Sequence, residues 1–140
     1  MQLFQVKSFL ILAVAFCEFH YIEALLSAAG CYQDKGDNRA MPEILFTDRG
    51  KLDWKDLSGT VIEKCEEAAK SKNYKCFGIQ FYGECWSGED ACDEYDKHGK
   101  SKDCSCSGNN NNNKKYDEDS DAPCIGGVGE QYTNFVYEIV

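Results

Sequence analysis

Apolar and polar positions change period several times along this chain, and each change marks a predicted element. Across Thr60–Ala69, Val61, Ile62, Cys65, Ala68 and Ala69 fall on one face at helical spacing. Glu63, Lys64, Glu66, Glu67 and Lys70 fall outside it, and Glu66 with Lys70 makes a favourable i,i+4 pair. Thr60 and Glu63 stand three apart, the spacing of a capping box. On the buried face, Cys65 points at whatever the helix packs upon, so its disulfide partner is expected there, in the hairpin that follows.

Asn73 and Tyr74 end the helix, and the period then drops to two. Phe77, Ile79 and Phe81 take one face of a strand, with Cys76, Gly78 and Gln80 on the other. The apolar stripe is read as core. Tyr82-Gly83-Glu84 reads as a hairpin turn, and Cys85-Trp86 begins the return strand. Near the C-terminus, Tyr132–Val140 alternates again, Phe135, Tyr137 and Ile139 against Asn134, Val136 and Glu138, as a closing strand does.

The segments between are weaker in pattern. Gly36-Asp37-Asn38 favours a turn, Met41–Phe46 suits a short edge strand because Pro42 cannot donate to a ladder, and Leu52, Trp54 and Leu57 are expected core contacts. Glu89–Gly108 has too little apolar material to predict regular structure. Residues 108–121, with a five-asparagine run and an acidic cluster, read as a mobile loop held at both ends by Cys106 and Cys124. Gly126, Gly127 and Gly129 read as a second flexible stretch.

The N-terminus changes the compartment expected. Lys7 precedes the apolar run Phe9–Cys17, which is too short to span a bilayer and is followed at once by Glu18, His20 and Glu23. That is the layout of a cleavable secretory signal over residues 1–29, with cleavage between 24 and 30; Ala24 and Ala29 are the candidate final residues. Removing Cys17 leaves an even set: Cys31, Cys65, Cys76, Cys85, Cys92, Cys104, Cys106 and Cys124. An even set in an oxidising compartment is what a disulfide framework requires.

The formal charge of −9 in 140 residues, with no basic cluster, argues against nucleic-acid partners. No further segment is long enough to hold the protein in a membrane, and a secreted monomer is expected. Catalysis is not expected. His98 is the one histidine left after signal removal, and neither a G-x-S-x-G elbow nor an H-E-x-x-H helix is present. Without a C-x-x-C pair, disulfides are expected and not a zinc site. Asp117, Asp119 and Asp121 have the 1-3-5 spacing of an EF-hand loop, but Ala122 and Val128 stand where a glycine and a bidentate glutamate are needed. What remains is a candidate patch for weakly bound calcium; no other cofactor is implied. Sugar sites combine aromatic faces with hydroxyl-bonding polar side chains. Tyr32, Tyr82, Trp86, Tyr95 and Tyr116 are aromatics in polar settings, and Trp86 with Glu84 and Tyr82 beside the turn is the candidate ligand site. No N-linked glycosylation acceptor exists.

Gly30-Cys31-Tyr32, the helix cysteine Cys65, and the run through Tyr74, Phe77, Gly78, Gln80, Gly83, Glu84, Cys85 and Gly88 together resemble the WSC domain, including the WSC-like modules of small secreted proteins of corals and anemones. The likeness covers Gly30 to Cys106 and the last strand. Ser87 stands where that pattern usually has a cysteine. The resemblance implies a disulfide-rich α+β domain over residues 30–140, one main helix packed on an antiparallel sheet in the PAN-like manner. It also implies carbohydrate binding. The expected function is therefore a secreted, non-enzymatic module for extracellular glycans or matrix. The alternatives are an acidic component of an extracellular or mineralised matrix with weak calcium attraction, and a secreted toxin or defence protein.

Overall fold

A computed structural model describes residues 25–107, 113–120, 124 and 126–140. The expected signal segment through Ala24, most of the asparagine run, Asp121 and Ala122 lie outside the described residues. The architecture is α+β, built on a five-stranded antiparallel sheet of order β1-β8-β3-β4-β2. Its strands are β1 Leu26–Gln33, β2 Glu43–Thr47, β3 Cys76–Gln80, β4 Glu84–Ser87 and β8 Thr133–Ile139. A smaller sheet of β5 Cys104–Cys106, β6 Lys114–Lys115 and β7 Gly127–Gly129 has order β6-β5-β7. As Pro42 suggested, β2 is an edge.

The predicted helix forms, with a different start. Ser58–Ile62 is a π-helical turn that runs directly into α1, Glu63–Ser71. The capping box does not form. Asp56 takes that part: its Oδ1 accepts from Gly59 N at 2.9 Å, while Thr60 Oγ1 donates to the Asp56 carbonyl at 2.6 Å. Glu63 instead accepts from Ser58 Oγ at 2.9 Å. Val61, Ile62, Cys65 and Ala69 are buried against Phe77, Ile79, Cys85, Phe135 and Tyr137 in one apolar cluster. Period two places those sheet residues on one face. Cys65 bonds Cys85 on β4, in the hairpin to which the helical pattern directed it.

The opposite face of the sheet is also covered. Gly78 on β3 stands in register between Trp86 on β4 and Val136 on β8, and Gln80 between Glu84 and Asn134. The loop through Met41 and a short helix α2, Ala91–Glu94, pack over these positions around a second cluster of Met41, Cys76, Trp86, Ala91 and Val136. The charged stretch after Ser87 therefore does carry regular structure, in α2 and β5. Its elements are too short for a hydrophobic period, and disulfides hold them: Cys76–Cys92 ties α2 to β3, and Cys31–Cys104 ties β5 to β1. Cys106–Cys124 joins the two flanks of the asparagine-rich segment.

Gly126–Gly129 is likewise not a flexible stretch. Strand β7 is buried, and a Cβ at Gly129 would lie 1.7 Å from the Thr133 carbonyl oxygen, one at Gly127 2.4 Å from the Phe135 ring. These glycines permit close approach. Tyr137 fixes the strand, its hydroxyl accepting from Gly127 N at 2.7 Å and donating to Gly127 O at 2.8 Å. Burial pushes the Tyr137 phenol well above its ordinary range. Among the described residues no helix is long and apolar enough to cross a membrane. The four disulfides are compatible with an oxidising, extracellular setting.

Candidate functional site

The three hairpin residues singled out in the sequence do not share one environment. Trp86 is 9% exposed. The Arg39 guanidinium lies 3.8 Å from its ring centroid, and its Nε1 donates to Glu84 Oε2 at 2.9 Å. Its face is taken by a cation and its edge by a carboxylate, so it offers no open ring. Arg39 is in turn held by Asp34, whose side chain is fully buried. Asp34 Oδ1 accepts from the backbone N–H groups of Lys35 and Ala40, at 2.9 and 2.8 Å. Its Oδ2 accepts from Arg39 Nη1 at 3.0 Å, Gln80 Nε2 at 3.2 Å and Asn134 Nδ2 at 3.4 Å. Such a set offsets the cost of burying a charge.

Tyr82 is different. It is 36% exposed at the hairpin tip, beside the exposed end of the sheet. The turn is Phe81-Tyr82-Gly83, one residue earlier than expected, and Phe81 and Tyr82 have φ of 47° and 55°. Consecutive left-handed positions in a hairpin ordinarily take asparagine or glycine; aromatic side chains there are strained. The neighbours hold that conformation. Phe81 N and Tyr82 N donate to the carbonyls of Glu130 and Gly129, at 3.1 and 3.0 Å, and Gly83 O accepts from Asp48 N at 2.9 Å. A Cβ at Gly83 would meet the Asp48 backbone at 2.8 Å. The tip is thus clamped between the loop after β2 and the loop after β7.

Two depressions meet at this tip. One, of about 390 Å³, is lined by Gly50, Leu52, Trp54, Tyr82, Ser105 and Asn113. The other, of about 630 Å³, is lined by Thr47, Arg49, Gly50, Phe81 and Tyr82. Tyr82 and Trp54 pack edge to face at 6.2 Å. Arg49 lies 3.5 Å over the Phe81 ring, with Nη1 3.7 Å from Glu84 Oε1. The Tyr82 phenol is pushed up, first by burial and then by the nearby Glu130 carboxylate, so it is a hydrogen-bonding hydroxyl at neutral pH. Aromatic edges, backbone held in one conformation, and hydroxyl and amide groups along the wall suit a ligand with both apolar faces and hydroxyls.

The other polar aromatics serve packing. Tyr32 and Tyr95 meet edge to face at 4.9 Å, and Tyr95 Oη donates to Glu138 Oε1 at 2.9 Å. Burial first, then that carboxylate, pushes the Tyr95 phenol up to about 12. Tyr116 stands edge-on to Phe135 at 5.3 Å. Of the acidic triplet, Asp117 Oδ1 accepts from Asp119 N at 3.1 Å in a local turn, and Asp121 lies outside the described residues. Among the described residues no group of three or more His, Cys, Asp or Glu is placed to hold a metal ion. His98 sits with Nε2 2.6 Å from the Asn38 carbonyl oxygen.

The chain matches no family model, no curated protein and no solved structure. The site is therefore read from its own residues. Sequence reasoning reached Tyr82 and Glu84 and read Trp54 as a core contact, which it is in part, packed against the main cluster while also lining the groove, but it gave Arg49 and Asp34 no part. A signal for Trp54 was present in its polar surroundings, Asp53 and Lys55. Nothing local could bring Arg49 to Phe81, because their loops are brought together by the pairing of β2 with β4 and by the bond from Asp48 N to Gly83 O.

Proposed function

We propose that this protein is a secreted, non-enzymatic module that binds extracellular glycans or glycan-bearing matrix through the groove at the hairpin tip. The observation that carries this reading is the pair Phe81-Tyr82, held in a conformation that costs free energy and whose product is a fixed aromatic ridge between two depressions. Strain maintained at an exposed turn by surrounding hydrogen bonds is typical of functional sites. A preorganised site loses less entropy on binding. Tyr82 and Trp54 supply faces and edges for the apolar side of a sugar ring, and Ser105, Asn113 and the Tyr82 hydroxyl supply partners for its hydroxyls. The sequence resemblance to WSC domains supports the same class of ligand. Four disulfides and the N-terminal segment support an extracellular setting.

The test is a glycan-array and polysaccharide pull-down screen of the oxidised protein, in calcium and then in EDTA. Retention on a defined group of glycans that survives EDTA supports the reading. Silence on every glycan refutes it.

A further inference from the structure

Resting on the glycan reading, we infer that the groove is specific for a linear glycan bearing an anionic group, carboxylate or sulfate ester, on the sugar unit that lies against Arg49. The two depressions share Gly50 and Tyr82. A Cβ at Gly50 would have no atom within 4 Å, so the ground between them is open. A chain can therefore run from the Trp54 side across Tyr82 to the Arg49 side, with successive units in unlike surroundings.

Arg49 differs from the other charges near it in what its donors do. One face of its guanidinium lies on Phe81, and its one ion pair, to Glu84, is long at 3.7 Å. None of its N–H groups makes a hydrogen bond to an acceptor among the described residues, although a guanidinium carries five. The carboxylates nearby are committed elsewhere. Glu84 Oε2 accepts from Trp86 Nε1, and Asp48 is shared by Lys51 and Lys64. Arg49 is the one charged side chain among the residues lining this depression. The whole chain carries −9, so a polyanion is repelled in general, and a single anion placed at Arg49 is favoured locally. A guanidinium stacked on a ring, with no hydrogen bond at its fork, is preorganised for a planar or tetrahedral oxyanion.

The Trp54 end has no such cation among its lining residues; its side chains are aromatic, aliphatic, hydroxyl and amide. A neutral unit belongs there. The specificity is for an anion at one end of a chain, not for charge along its whole length.

The experiment titrates the oxidised protein with three linear galactan oligosaccharides of equal length: one ending in a single galacturonate, one carrying a single sulfate ester on its end unit (the sulfated galactan), and one unsulfated and neutral. Melting temperatures of all variants are compared first, which separates a lost fold from a lost contact. At least one acidic chain is expected to bind roughly tenfold or more tighter than the neutral galactan, as a charge-assisted bond supplies. That preference should shrink as salt rises. Preference for the galacturonate identifies a carboxylate ligand, and preference for the sulfated galactan identifies a sulfate ester. Arg49→Gln should bring the acidic-to-neutral ratio toward one, and Arg49→Lys should keep part of it, since the charge remains and the fork does not. Equal affinity for acidic and neutral chains, or a ratio that survives Arg49→Gln, overturns the inference and leaves the glycan reading standing. Binding to none of the three overturns the inference, and silence across the whole glycan array overturns the glycan reading with it.

Discussion

The Arg39 guanidinium lies 3.8 Å from the centroid of the Trp86 ring, on the face that a ligand would need. This contact decides what Trp86 is for. The ring is a shelf for Arg39, and Arg39 carries the Asp34 hub to which Gln80 and Asn134 also donate. Trp86→Ala is accordingly expected to destabilise the fold by about 3–5 kcal/mol, the usual range for truncating a buried large aromatic. Chemical denaturation followed by circular dichroism measures it. A variant as stable as the parent that had lost sugar binding would make Trp86 a platform after all.

Mild acid should loosen the helix from the sheet edge. The Lys72 ammonium, with the Tyr74 hydroxyl, holds the Glu43 carboxyl below its usual range, and the Lys64 ammonium does the same for Asp48. These pairs join α1 to β2 and to the residue after it. A carboxyl whose folded pKa is depressed adds stability above its unfolded value, about 4, and loses it as pH falls through the folded value. The melting temperature is expected to fall on acidification below about pH 4, less steeply in a Lys64→Met, Lys72→Met double variant. Because the pairs are exposed, molar salt should flatten the difference. Equal slopes for parent and variant at low salt would show that other groups carry the acid response.

Strand β1 bears on where a signal would be cut. Its pairing with β8 begins at Leu26 opposite Ile139, and Leu25 and Val140 exchange backbone bonds of 3.1 and 2.8 Å. Cleavage after Ala29 would remove the first half of this strand, including Leu26, which packs on the main core. Cleavage after Ala24 keeps it whole. Intact-mass analysis of the protein from culture medium is expected to give Leu25 as first residue. A mature chain beginning at Gly30 would contradict this.

The sequence made some of this legible, for physical reasons that differ by residue. Helical spacing of Val61, Ile62, Cys65 and Ala69 found the buried face and pointed Cys65 at its partner. Period two separated Phe77 and Ile79 from Gly78 and Gln80. Periodicity reports which side a residue faces, not what covers that side. It was silent on Arg39 over Trp86, because Arg39 sits on a loop and arrives from 47 positions away. Strands β5, β6 and β7 are two or three residues long, too short to show a period. Gly127 and Gly129 look flexible in composition because a glycine chosen for freedom and one chosen for close approach are the same letter. The acidic triplet had spacing but no fold-level partner to make it a site among the described residues. The tip at Tyr82 was found from polar aromatics near a turn, while its strain and its wall from Trp54 and Arg49 required three loops in space.

The most direct test of the account is a paired measurement on Tyr82→Gly. Glycine adopts φ near +55° without the penalty an aromatic side chain incurs, so the variant relieves strain while deleting the ring. Thermal unfolding and titration with the strongest glycan from the screen are performed on the same preparation. A melting temperature equal to or above the parent's is expected, with affinity reduced by about 2 kcal/mol, roughly 30-fold, as for an aromatic residue that anchors an interface. A variant that binds the glycan as tightly as the parent would show that the ridge at the hairpin tip is not the binding site.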